Sequence, residues 1–240
     1  MNPAEPGCIA HQFQRFVDLS DDEVELLTSL EFAPKEYPED AELIAAGSTA
    51  EKLYTLKSGW ACAIRPLPDG QQQILDIFLP GQIIGLRELS FVKHQSEVRT
   101  LTDVVACPFP RRKLTEIFDA APRLTDVFFL VMAREQSMLI ERIINIGRRS
   151  AAESLAHFLV EIHSRLAIRH LGFTLPMTQS TIADTLSLSS VHISRTFKQL
   201  REMKLIDGHN GDIEIIDLEG LIAFSGFDRS YLEYHSEWAR

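Results

Sequence analysis

From about Phe32 to Leu114 the apolar residues come in short runs separated by glycines, and this spacing predicts strands. The runs "AELIAAGS", "KLYTLKSGWACAIRPLPDGQQQILDIFLPGQIIGL" and "DVVACPFP" set Gly47, Gly59, Gly70, Gly81 and Gly85 at turn-like intervals. Asp69-Gly70, between "ACAIRPL" and "QQQILDIF", is a strong hairpin signal, because this pair tolerates the backbone a tight turn requires. Several short strands with evenly spaced turns imply a barrel or sandwich. Ahead of them "SDDEVELLTSL" reads as a helix, capped by Ser20 and acidic in its first turn.

After Pro122 the period changes. The stretch "RLTDVFFLVMAREQSMLIERIINIG" predicts one long helix ending at Gly147 as its C-cap. Phe129, Met132, Gln136, Leu139, Ile143 and Ile146 alternate steps of three and four, a seam interrupted only by Gln136. Leu124, Phe128, Val131 and Met138 form a second stripe on a neighbouring face. A single core helix is one reading. Two apolar faces fit better if one packs on the barrel and the other on a second copy, so a parallel, two-fold homodimer is expected. "SAAESLAHFLVEIHSRLAI" is a further amphipathic helix, followed by a short strand at "GFTLP". Then "TQSTIADTLS" and "SVHISRTFKQLREMKL" form two helices with a tight turn near Ser187–Ser189, and "LIDGHNGDIEIIDLEGL" closes with a hairpin tipped by Asp207–Asp212. The expected class is α+β: a jelly-roll-like β-roll over 13–121, a dimerisation helix over 122–146, a winged helix-turn-helix over 147–225 and a tail over 226–240.

Composition modifies this picture in two places. The 240 residues carry a net charge of −10, which on its face disfavours a nucleic-acid partner. The charge is uneven, however: residues 1–146 hold 14 Lys/Arg against 22 Asp/Glu, whereas residues 147–210 hold 8 against 5, with five histidines besides. Local charge on the docking face governs attraction to phosphates. The last thirty residues return to acidic, 2 against 7. Cys8, Cys62 and Cys107 are odd in number and far apart, so a disulfide framework is not expected and a reducing cytoplasm is. No apolar run is long enough for a membrane span and no secretory pattern opens the chain, so no membrane partner is expected.

Helix, turn, helix and hairpin match a winged helix-turn-helix, whose second helix enters the major groove of double-stranded DNA. Thr178 is the expected N-cap of the first helix, with Ile182, Ala183 and Leu186 facing inward. In the second helix Val191, Phe197, Leu200 and Met203 are apolar, while Ser189, Ser190, His192, Ser194, Arg195, Lys198 and Gln199 lie on other faces. The candidate DNA-contacting set is Thr178, Gln179, Ser189, Ser190, Val191, His192, Ser194, Arg195 and Lys198. Arg195 can donate a bidentate pair to guanine, and the hydroxyls suit phosphates. Two other readings stand beside this one. A dimeric protein–protein adaptor would share the architecture without touching DNA, and salt dependence separates the two. A cupin-type enzyme needs clustered metal ligands, and the barrel region offers only His94.

With "PGQIIG" (Pro80–Gly85), "GRRSAAESLAHFL", "TQSTIADTLSLSSVHISRTFKQLRE" and "LID" in this order, the chain resembles the CRP/FNR transcription regulators over roughly residues 13–225. The resemblance implies a cyclic-nucleotide-binding-type β-roll, a dimerisation helix and a DNA-reading helix over about 189–203 on a pseudo-palindromic operator. RNA polymerase becomes a further partner if the chain activates. The family's recognition helix reads Glu-x-x-Ser-Arg; Ser194-Arg195 match its end, so the resemblance gives Arg195 the guanine contact, while Val191 stands at the glutamate. A valine cannot accept from a cytosine amino group but can touch a thymine methyl.

The family's nucleotide site uses Gly-Glu-x-x-Leu and, further on, Arg-Ser. Here Leu86 follows Gly85 and His94-Gln95 fall near Arg-Ser, with Arg99 as a possible substitute and Arg87-Glu88 able to pair internally. Cyclic nucleotide is therefore not the expected effector. The family's iron–sulfur branch needs four cysteines, three of them close together, so that cluster is not expected either. A thiol switch stays open, with structural burial expected for Cys62 and Cys107. No effector or metal site is assigned.

Overall fold

The structure is a computed structural model that describes residues 8–15 and 17–233. These fall into two compact units, one drawn from residues up to 134 and the other from 135–233, with 71–74 grouped in the second.

In the first unit two short helices, α1 (Cys8–Gln14) and α2 (Asp21–Thr28), precede the strands. Ser20 caps α2 through a full capping box: its side chain accepts from the Glu23 amide, and the Glu23 carboxylate accepts the Ser20 amide at 2.9 Å. Eight strands follow: β1 (Lys35–Tyr37), β2 (Glu42–Ile44), β3 (Lys52–Ser58), β4 (Ala61–Pro66), β5 (Gln72–Phe78), β6 (Ile83–Ile84), β7 (Glu97–Thr100) and β8 (Val104–Pro110). They form two four-stranded sheets, ordered β1-β8-β3-β6 and β2-β7-β4-β5. The expected turn between β4 and β5 is present, with Gly70 at φ +84°. Leu43, Ile44, Leu56, Ala63, Phe78 and Val98 pack in one cluster.

A second cluster joins Ile9, Phe13 and Leu27 to Leu114, Leu124 and Phe128. Phe13 and Phe118 both meet the Phe128 ring edge-on, at 5.2 and 5.0 Å. Leu114 and Ile117 belong to α3 (Arg112–Ala120), an amphipathic helix that the strand reading of this region overlooked.

Helix α4 (Pro122–Arg148) is continuous, as its period predicts. It runs one residue past Gly147, however. Gly147 keeps a negative φ rather than the left-handed conformation of a C-cap, so the helix ends where Ser150 caps the next one. The second stripe is the buried one: Leu124, Phe128 and Met138 are covered and Val131 is half-buried. Along the seam, Phe129, Gln136, Ile143 and Ile146 are exposed, while Met132 and Leu139 are half-buried. Ile140 and Ile144 are exposed too, so the uncovered apolar face is wider than the seam read from the sequence.

The second unit continues with α5 (Ala151–Leu166), β9 (Gly172–Thr174), α6 (Gln179–Leu186), α7 (Ser190–Glu202), β10 (Ile206–Asp207), β11 (Asp212–Ile215) and α8 (Leu218–Ser225). The hairpin pairs with β9 as a three-stranded sheet, β10-β11-β9. Helix α8 was not anticipated. The Asp217 carboxylate accepts the Gly220 amide at 2.8 Å and starts it, so "DLEGL" is a helix start and not the end of the hairpin. Helix α5 is the hub, packing on both α7 and α8, with Leu155, Leu159 and Ile162 fully covered. Its His157 is 1% exposed, lies edge-on to Phe227 at 5.1 Å and stacks on Tyr231. Of the expected tail over 226–240, residues 234–240 lie outside the described residues.

Candidate nucleic-acid interface

Local hydrogen bonds set the two-helix unit. Thr178 caps α6, its hydroxyl oxygen accepting the Thr181 amide at 3.0 Å, and Ile182, Ala183 and Leu186 are buried as expected. The turn is made by Ser187, which takes φ +55° while its amide donates to the Ala183 carbonyl. Ser189 then caps α7, accepting the His192 amide at 3.2 Å. Ile193, Phe197 and Leu200, spaced four and three apart, form the inward stripe of α7. Beside them Thr196 is buried and donates to the His192 carbonyl at 2.8 Å. Two apolar residues break from this face: Val191 is 59% exposed and Met203 is 42% exposed.

The outward face of α7 gathers Ser190, Val191, His192, Ser194, Arg195, Lys198 and Gln199, all exposed. Among the described residues Arg195 has no hydrogen-bond or ion-pair partner, so its five donors are available. Lys198 makes only a loose, solvent-exposed pair with Glu202 at 3.7 Å. Thr178 and Gln179 are exposed at the start of α6. Thr178 and Ser189 differ from the rest of the expected set, since each hydroxyl oxygen is already engaged in capping.

One group escaped the sequence reading. A cleft of about 380 Å³ is lined by Ser150, Ala151 and Ala152 on one side and by His192, Arg195, Thr196 and Gln199 on the other. The first amides of a helix have no intrahelical acceptor, and such ends favour anions. The signal was present as Ser150-x-x-Glu153, a capping box in which the Glu153 carboxylate accepts the Ser150 amide at 2.7 Å. Hydrogen bonds from Ser150 hold the Glu153 carboxyl below its usual range. At the hairpin, Gly208 takes φ +107°, and a Cβ there would meet the Asp212 carbonyl oxygen at 2.1 Å, so the tip depends on glycine.

The β-roll departs from expectation at Arg87-Glu88. These neighbours do not pair with each other: Arg87 donates to Asp76 at 2.9 Å, and Glu88 is held by His94 and Ser96. Arg99 is held by Glu97 and Asp40, at 2.7 and 3.1 Å. Cys62 and Cys107 are buried and Cys8 is half-buried. Burial pushes the Cys62 thiol up to about 12, which removes the thiolate needed for a fast redox response. Among the described residues no group of three or more His, Cys, Asp or Glu is placed to hold a metal ion. Nor, among the described residues, is any helix long and apolar enough to cross a membrane.

Comparison with known proteins agrees with this geometry. Residues 34–121 match the family model of a cyclic nucleotide-binding domain, and residues 153–224 that of a Crp-like helix-turn-helix domain. The transcriptional activatory protein AadR of Rhodopseudomonas palustris is 33% identical over 185 residues, 75% of this chain and 74% of the relative. The nitrogen fixation regulation protein FixK of Bradyrhizobium diazoefficiens is 30% identical, covering 69% and 70%. The structure of FixK2 from Bradyrhizobium japonicum superposes with a TM-score of 0.74 at 25% identity, over 80% of this chain and 96% of that one. The chain therefore belongs to the CRP/FNR family of DNA-binding transcription regulators.

Proposed function

We propose that the protein works as a homodimer that binds a pseudo-palindromic operator, each copy laying α7 in a major groove. The observation that carries this is the outward face of α7: an unpartnered Arg195 flanked by Val191, His192 and Ser194 on a helix whose opposite face is fully packed. Arg195 reads guanine, Val191 meets a thymine methyl, and His192 and Ser194 contact neighbouring edges. Thr178, Gln179, Ser190 and Lys198 hold the backbone, and a phosphate sits in the cleft between Ser150–Ala152 and Arg195. Ser189 serves as the cap that orients this helix.

The homodimer is supported by Phe129, Ile140, Ile143, Ile144 and Ile146, all left in water on one helix. Each such side chain is worth roughly 1.5–3 kcal/mol when fully buried, so a second copy of α4 is the natural cover. On this reading residues 13–121 form the β-roll, 122–146 the dimerisation helix and 147–225 the DNA-binding domain, in a cytoplasmic protein that is not an enzyme. AadR is named an activatory protein. If this chain activates in the same way, RNA polymerase is a further partner.

Arg195→Ala tests the reading. Operator affinity should fall about 5–150-fold, from loss of about 1–3 kcal/mol of discrimination, with fold and dimer intact. Unchanged operator binding would sink the assignment.

A further inference from the structure

The family's β-roll implies a cyclic nucleotide, so the residues at that position can be tested for fit. The glutamate that would hold the ribose is replaced by Leu86, which is 3% exposed within the hydrophobic core and offers no acceptor. Near the position that the resemblance gives to the phosphate-binding arginine stands His94, 5% exposed, with Nδ1 2.6 Å from Glu88 Oε2. The other Glu88 oxygen accepts two more hydrogen bonds, from the Ser96 amide at 3.1 Å and the Ser96 hydroxyl at 2.6 Å. Three donors therefore converge on one carboxylate that the chain itself supplies.

We infer that Glu88 is an internal ligand: it fills with its own carboxylate the cradle in which a relative would hold the phosphate of an effector. A phosphodiester would have to enter beside that carboxylate, and like charges at such range repel strongly outside bulk water. Among the nearby arginines Arg87 is held by Asp76, and Arg99 by Glu97 and Asp40, while the exposed Arg65 donates to the Gln95 carbonyl at 2.8 Å. The residues present do not fit a cyclic nucleotide. The β-roll is self-liganded at this cluster. A carboxylate is also about the size of formate, so truncating Glu88 leaves three donors around a vacancy that formate fills.

The test uses the full-length chain. Thermal unfolding of wild type and Glu88→Ala is followed in sodium formate and in sodium chloride at equal ionic strength. The midpoint of Glu88→Ala should rise saturably with formate, or the variant should fold only with formate, while wild type responds to the two salts alike. Neither cyclic AMP nor cyclic GMP should shift the wild-type midpoint. A folded Glu88→Ala that ignores formate overturns the inference, as does saturable stabilisation of wild type by either nucleotide. If Glu88→Ala folds in neither salt, Glu88→Gln decides: a midpoint several degrees below wild type supports the inference, and an unchanged midpoint overturns it. The inference rests on the CRP/FNR reading only for what that position holds in relatives. Its readout is stability of the β-roll, so its failure is distinct from a failure of operator binding.

Discussion

At the scale of single residues, two positions carry distinct expectations. Val191, which the resemblance sets at the family's glutamate position, is exposed, as is Arg195 one helical turn on. Val191→Glu restores an acceptor for a cytosine amino group, so the preferred base at one half-site position should change while overall affinity at other positions holds; sequence selection on both proteins checks this. His157 is buried, and burial holds its pKa below the ordinary value; Arg149 acts in the same direction, and Glu161 and Glu141 oppose it. The unfolded chain therefore takes up a proton before the folded one does. His157 should contribute stability that is present above about pH 6.5 and is lost as pH falls through the lower folded value. His157→Gln should flatten the pH dependence of Tm between about pH 7 and 5, and an unchanged profile would remove this residue from the account. Arg195 was legible from spacing alone, because a basic residue two positions from a buried apolar one must point outward. The Glu88–His94–Ser96 cluster was not legible, since which neighbour a glutamate chooses depends on a fold that sequence spacing does not encode.

At the scale of elements, α4 buries one apolar face and leaves the other exposed, the face proposed above for a second copy. Phe128 lies in the aromatic cluster with Phe13 and Phe118, so Phe128→Ala should cost about 3–5 kcal/mol of stability. Ile143 is 71% exposed, so Ile143→Glu should leave the monomer folded and shift sedimentation from dimer to monomer. A wild type that sediments as a monomer would contradict the seam. The pattern found this helix because a long regular period outweighs local noise. It missed α3 and α8, which are short and were not marked by a Ser or Thr cap of the kind that betrayed the equally short α2 and α6. Helix α3 starts without a side-chain cap, and the Asp217 cap of α8 lies in a run that also reads as hairpin. Gly147 misled in a different way: glycine permits a helix end, but the end is set by the Ser150 cap.

At the scale of the whole molecule, an acidic protein of a DNA-binding family segregates its charge, with the excess of Lys and Arg in residues 147–210, the segment that holds α7. The two-fold dimer should turn that single helix into a pair of readers matched to a symmetric site. The most direct measurement is selection of bound duplexes from a random pool, using protein purified without added ligand, at two salt concentrations. The account predicts enrichment of a pseudo-palindrome with half-sites about one helical turn apart and containing guanine, with affinity falling steeply as salt rises. A folded dimer that enriches no sequence would contradict it.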